Sequence, residues 1–171
     1  MTRGWLRVGS ILLAGIVWGG GAATAVSAGA ELIHEIVPGA VAEADWIGRG
    51  WSHAETNPER TFRWMIAMEA DLYWDWTEPE AVTLTLITGI AHQPYRRQRI
   101  GLFINNRYVT EWLAKDDSAF HAYTTAVPAV YWQSGPNRIT LRAAYTTRLG
   151  ADRRSLAVVV ERLQFHRISA D

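Results

Sequence analysis

The 171-residue sequence contains no cysteine. That excludes disulfides, thiolate metal sites, a cysteine nucleophile and a cysteine-linked lipid anchor. Lysine is nearly absent too: Lys115 is the only one, and the other positive charges are arginines, which suit planar, partly buried ion pairs. No excess of either charge exists, because 17 basic residues balance 17 acidic ones. A face able to hold nucleic acid through its phosphates is therefore not implied, and no nucleic-acid partner is expected. Enzyme signatures are missing as well: the chain has no G-x-S-x-G, P-loop, G-x-G-x-x-G or H-E-x-x-H motif. Its five histidines (His34, His53, His92, His121 and His166) are scattered without metal-ligand spacing. Carboxylate pairs such as Glu55 with Glu59, or Asp71 with Asp75, meet the separation of about 5–10 Å that glycoside hydrolysis needs only if a cleft holds them; solvated loop acids are the plainer reading. We expect no enzyme, no cofactor and no catalytic group.

One long uncharged run is present. Arg3 and Arg7 precede it, Glu31 and Glu35 follow it, and residues 8–30 carry no charge. As a helix the run would span roughly 34 Å, enough for the hydrocarbon core of a bilayer. The positive-inside bias then puts the N-terminus in the cytoplasm and everything after Glu31 outside. A secretory signal is the competing reading, since "ILLAGIVW" is a compact apolar stretch and "AGA" at residues 28–30 has the small-x-small form of a cleavage site. We take the uncleaved, single-pass anchor as the expected form. Gly15 and Gly19 in "GIVWG" fit the small-xxx-small spacing by which membrane helices pack closely. The expected organisation is an anchor at 1–30, a connector at 31–45, in which "ELIHEIV" reads as one strand or as a helix extension, and an extracytoplasmic domain at 46–171.

Nine tryptophans are many for this length, and seven of them lie between Trp46 and Trp132. In the same region period-two alternation dominates. "TFRWMIAM" puts Phe62, Trp64, Ile66 and Met68 on one strand face, "DLYWDW" groups Leu72, Trp74 and Trp76, and "AVTLTLITGI" alternates Val82, Leu84 and Leu86 with threonines. "IGLFINNRYVTEWLA" reads as a hairpin around Asn105 and Asn106, which tolerate positive φ. "YWQSGPNRITLRAAY" places a turn before a strand, and "SLAVVVERLQFHRI" supplies a closing strand. Eight or nine short strands with no convincing amphipathic helix predict a mainly β fold, a jelly-roll-like antiparallel β-sandwich behind one transmembrane helix.

Three passages carry a family resemblance. "GWSHAETNPERTFRW" resembles the segment that opens galactose-binding-like jelly-roll domains. "IGLFINNRYV" is similar to their V-x-V-N-G-x-x-V hairpin, with Asn106 where glycine is usual. "VPAVYWQSGPNRITLRA" resembles their P…G-x-N-x-I-x-L strand entry. Such modules occur outside the membrane in bacterial membrane glycosyltransferases and sugar-active proteins. They serve as sugar binders, docking modules and spacers, so the likeness implies a fold and leaves the ligand open.

Candidate contacts follow from residue type. Trp51, Trp74 and Trp76 form core if buried and a flat apolar platform for a glycan or partner if exposed. "AHQPYRRQR" sets Tyr95 beside Arg96, Arg97 and Arg99, the densest basic cluster in the chain; a partner's acids, lipid headgroups or solvent would all suit it. Asp71, Asp75, Glu78 and Glu80 offer oxygen to Ca²⁺ but lack calcium-loop spacing. Arg63, facing away from Phe62 and Trp64, is expected to pair with Glu55 or stack on Trp51. The functional expectation is a non-catalytic accessory subunit of the bacterial inner membrane. Its periplasmic sandwich would dock on integral membrane protein subunits of a larger complex, for example a photosynthetic or respiratory assembly. The alternative is a carbohydrate-binding module at the cell envelope.

Overall fold

The computed structural model describes residues 30–40, 45–117 and 119–168. The expected anchor, the signal-peptide alternative and the packing glycines Gly15 and Gly19 lie outside the described residues. Among the described residues no helix is long and apolar enough to cross a membrane.

Two antiparallel sheets pack face to face. Their strands are β1 (Leu32–Ile36), β2 (Glu55–Thr56), β3 (Thr61–Trp64), β4 (Glu69–Trp76), β5 (Val82–Ile90), β6 (Arg99–Ile104), β7 (Arg107–Leu113), β8 (His121–Val127), β9 (Gly135–Ala143) and β10 (Val158–Arg167). One sheet runs β2-β3-β10-β5-β8, with β1 also paired to β10; the other runs β4-β9-β6-β7. Alternation explains the core. Leu72, Leu84, Leu86, Ile100, Leu102, Ile104, Ile139, Leu141 and Phe165 are fully buried between the sheets, and each such side chain contributes roughly 1.5–3 kcal/mol relative to exposure. Trp112 ties the two sheets at one edge by donating its indole N–H to the Thr124 carbonyl at 3.3 Å.

The structure decides one open reading and departs from another. Leu32–Ile36, which the sequence leaves as strand or helix extension within the connector, is an edge strand paired with residues 163–166 of β10. The "TFRWMIAM" alternation stops at Trp64: Met65 turns inward and is fully buried, whereas Ile66 and Met68 are exposed. The chain must cross here from one sheet to the other. Met65 fills the corner, held by its N–H to Val158 O at 2.7 Å and by Ala157 N–H to its own carbonyl at 2.9 Å.

The end of the sandwich where β1 begins is closed by aromatic rings. Trp74 lies 4.1 Å from Trp76, 4.4 Å from Phe165 and 5.8 Å from Trp132, centroid to centroid. His34 stacks on Trp74 at 4.7 Å with 10° between the planes. Its Nε2 is buried and has no hydrogen-bond partner among the described residues. Burial lowers the imidazole pKa from its ordinary value against a weaker opposing pull from Glu35.

Turn chemistry fits the hairpins with one exception. Asn105 and Asn106 take φ 50° and 69°, the left-handed pair that a tight hairpin turn requires. Gly50 sits at φ 89°, and a Cβ there would fall 2.1 Å from Glu69 O, so no other residue fits. The exception is the turn that follows β5, where Arg96 N–H reaches Gln93 O at 3.3 Å. Pro94 is its first central residue, and Tyr95, at φ 69°, occupies the second, which favours glycine. Tyr95 is fully exposed. The turn is nevertheless held firmly. Buried Gln98 donates to Tyr145 O at 2.9 Å and accepts from Ala144 N–H at 2.9 Å. The Tyr145 hydroxyl donates to Arg96 O at 3.0 Å, and the Arg96 guanidinium lies 4.3 Å from the Tyr145 ring centre.

The His34 stack makes stability depend on pH. The folded stack resists protonation of His34, whereas an unfolded chain protonates freely below its ordinary pKa of 6.5. Stability is therefore complete above that value and declines as pH falls through it toward the lowered folded pKa. His34→Phe keeps a ring on Trp74 and removes this decline; denaturant midpoints at pH 8 and 5.5 should differ less in the variant than in the parent. Asp117 and Asp152, whose pKa values are lowered from 3.8, stay ionised in the folded chain over that window. Equal pH dependence in both proteins would refute the account. At the other end, Tyr95→Gly relieves the left-handed tyrosine and should raise stability by about 1 kcal/mol, read as a shift in denaturant midpoint; an unchanged or lower midpoint counts against it.

Candidate functional site

The strand ends decide which expected contacts can act together. Val82 of β5 pairs with Val127 and Arg167, and Ile90, at its other end, pairs with Val158. The nine-residue strand separates the two ends of the sandwich by roughly 30 Å. Trp74 and Trp76 lie at the Val82 end, Tyr95, Arg96 and Arg97 at the Ile90 end. The sequence-predicted contacts thus do not form one site.

The tryptophans are mostly core. Trp51, Trp74 and Trp76 are only 8%, 8% and 7% exposed, and the Trp51 indole donates to Asp71 O at 2.7 Å. Their burial leaves no exposed platform made from these rings. Arg63 pairs neither with Glu55 nor with Trp51: it donates to the carbonyls of Pro38 and Ser52, and Glu55 instead meets Arg154. Asp71 is 1% exposed and accepts from Arg49 Nε at 2.9 Å and from Thr140 Oγ1 at 2.6 Å. Among the described residues no three His, Asp or Glu side chains converge as metal ligands.

The outer face of the six-stranded sheet carries the arrangement that the sequence reading missed. Trp64 pairs with Val159, and Val159 pairs with Gly89, so all three share this face, as does Phe62 two residues before Trp64. Gly89 leaves space that the Phe120 ring approaches; a Cβ there would lie 3.7 Å from that ring. Phe62, Trp64 and Phe120 are each partly exposed. Together with Asn57, Ile90, His92, Leu149 and Val159 they line a groove of about 460 Å³.

The rim of this groove is polar. Asn57 Oδ1 accepts the N–H groups of Glu59 and Arg60 at 3.0 and 2.9 Å, which turns its amide NH₂ outward as a donor. His92 Nδ1 meets Asp116 Oδ1 at 2.9 Å, which orients its Nε2 away from that carboxylate. Arg60 lies 4.4 Å over the Phe120 ring and reaches Glu161 at 3.2 Å. Asp117, close to Phe120 in the chain, bonds His121 at 2.7 Å, and this hydrogen bond lowers the carboxyl pKa from its ordinary value. Beyond Glu161 the ion pairs continue along the face to Arg162 and Glu35, and Gln164 donates to Glu35 at 2.9 Å. Apolar ring faces set beside fixed donors and acceptors can hold a polar ring that has one apolar side. Among the described residues no carboxylate lines the groove itself, so they set no pair of acids there of the kind a hydrolase uses. Phe62 and Trp64 were legible as neighbours on one strand face; nothing in the sequence marks Phe120 as their partner, because a loop brings it there.

No family model and no curated protein matches this sequence. Solved structures do. The fold is similar to the CBM36-1 domain of a multidomain xylanase from the hindgut metagenome of Trinervitermes trinervoides, at 13% identity over 80% of this chain and 100% of that one, TM-score 0.50. It is similar also to a family 35 carbohydrate binding module from Clostridium thermocellum, at 8% identity over 79% of this chain and 99% of that one, TM-score 0.50. At such identity the likeness establishes the fold, and the galactose-binding-like jelly-roll β-sandwich is the fold of this chain.

Proposed function

We propose that the sandwich is a non-catalytic glycan-binding module and that the groove lined by Phe62, Trp64 and Phe120 is its binding face. The observation that carries this reading is the grouping of three partly exposed aromatic rings with the polar rim of Asn57, Arg60 and His92 on one sheet face. A sugar ring presents C–H groups on its faces and hydroxyls at its edge; the groove offers the complement of both. The fold shared with carbohydrate-binding modules supports the reading without naming a sugar. The accessory-subunit reading depends on residues 1–29, outside the described residues, and gains no support from the comparisons.

The test is affinity electrophoresis and calorimetry of the full chain in mild detergent against soluble xylan, mannan, galactan and β-glucan. At least one polymer should bind. Trp64→Ala and Phe120→Ala should each weaken that binding about tenfold or more, the loss expected when a stacking ring is removed. Tyr108→Ala, on the outer side of the opposite sheet, should leave it unchanged. Failure to bind any polymer, or equal losses at all three positions, would overturn the proposal.

A further inference from the structure

The two ends of the sandwich differ in shape and charge, and each has what the other lacks. At the Ile90 end the Pro94–Tyr95 turn projects a fully exposed ring on a backbone fixed by Gln98 and Tyr145. Arg96 and Arg97 follow that ring, and among the described residues neither has a carboxylate partner; Arg96 rests on Tyr145 instead. At the Val82 end, the connection from β4 to β5 borders a cavity of about 580 Å³. The edges of Trp74 and Trp76, with Ile33 and Pro79, give it an apolar base, and Asp75 and Glu78 give it an acidic rim. Glu80 is neutralised by Arg167 at 3.0 Å, but among the described residues Asp75 and Glu78 meet no cation. One end is a basic, aromatic protrusion; the other is an acidic, aromatic recess.

We propose that the chain associates head to tail with a second copy of itself, the Tyr95 turn of one copy entering the recess beside Glu78 of the next. Tyr95 supplies a flat ring for the apolar base, and Arg96 and Arg97 face Asp75 and Glu78. The rigidity of the turn matters, because a preformed protrusion loses little freedom on docking. Balanced overall charge, 17 basic against 17 acidic residues, leaves no net repulsion between copies. A protrusion that fits a recess elsewhere on the same molecule forms a heterologous contact, which builds a ring or an open chain of copies and not a two-fold dimer. A contact built on one turn buries less than the roughly 1,200 Å² of a standard stable interface, so the association is weak and concentration-dependent. It also accounts for a tyrosine kept where glycine would relieve strain. This inference does not rest on glycan binding: the groove reaches the Ile90 end through Ile90 and His92 but takes no residue from the Pro94–Arg97 turn or from the recess.

The absence of cysteine makes the test direct. Full chains carrying Gln93→Cys, which keeps Pro94 and the Tyr95 ring, are mixed with full chains carrying Pro79→Cys under mild oxidation, and disulfide-linked pairs are followed over time. The mixed pair should form roughly tenfold faster than either like pair, and the double variant should give a ladder of higher oligomers. Arg97→Glu in the Gln93→Cys chain should slow the mixed pair to the like-pair rate. Adding Glu78→Arg to its Pro79→Cys partner should restore it, a rescue that misfolding would not give. Equal rates for mixed and like pairs, charge reversal without effect, or loss without rescue would each overturn the proposal. So would protection of the Pro79→Cys thiol from a small thiol reagent in dilute monomer, which would show the recess already filled by another part of the same chain.

Discussion

β10 hydrogen-bonds to β5 along its whole length and, on its other side, first to β3 and then to β1. Those partners can share one strand only because its register shifts between Val160 and Arg162. Val158 and Val160 face the core before the shift, and Leu163 and Phe165 face it afterwards. Strict alternation would have turned Leu163 and Phe165 outward, since a one-residue slip exchanges the two faces of a strand. Glu161 is the inserted residue. At 8% exposure its carboxylate is held by Arg60 on one side and Arg162 on the other. The irregularity that keeps the core continuous therefore also creates the ionic row leading into the aromatic groove.

That row explains how the chain uses arginine. Exposed pairs such as Arg99 with Glu111 contribute little net free energy. At Glu161 and Asp71 the carboxylates are nearly buried, and losing a guanidinium there would leave a poorly solvated charge. Arg49 reaches Asp71 from the loop before Trp51, while the Trp51 indole donates to the main-chain oxygen of the same residue. One residue of β4 thus secures the whole "GW" passage, and Gly50 allows the backbone to approach β4 closely enough for both contacts. The passage is structural: its tryptophan is an internal fastener.

Much of the sandwich was legible because its cues are local. Alternation in β4, β5, β6 and β9 marks their buried faces, and the paired asparagines mark the hairpin. Three things were not. The choice between strand and helix extension at Leu32–Ile36 depends on a free edge of β10 at the far end of the chain, and no local pattern reports such an edge. The end of β3 depends on where the chain must cross between sheets, so a run that alternates through Met68 stops early. The groove depends on a loop carrying Phe120 onto β3. Tryptophan number drew attention to Trp51, Trp74 and Trp76, which belong to the core, whereas the ring faces of the groove come from Trp64 and two phenylalanines.

The division of aromatic residues has a physical logic. A sandwich without disulfides must close its ends by packing, and at the Val82 end Trp74, Trp76, Trp132 and Phe165 do so, with His34 stacked against them. The faces of those rings are taken up by packing and only their edges reach the recess, so the proposed glycan binding would rest on rings of a sheet face, where backbone pairing already supplies rigidity. The groove leaves the Tyr95 turn and the recess beside Glu78 unused. Copies associated head to tail, as proposed, would present one groove per copy in a single assembly. On a polymeric glycan each further groove would engage at the effective concentration set by its neighbour, so the proposed binding face would gain avidity without any new contact. A monomeric sugar, which reaches one groove only, would gain nothing from the same arrangement.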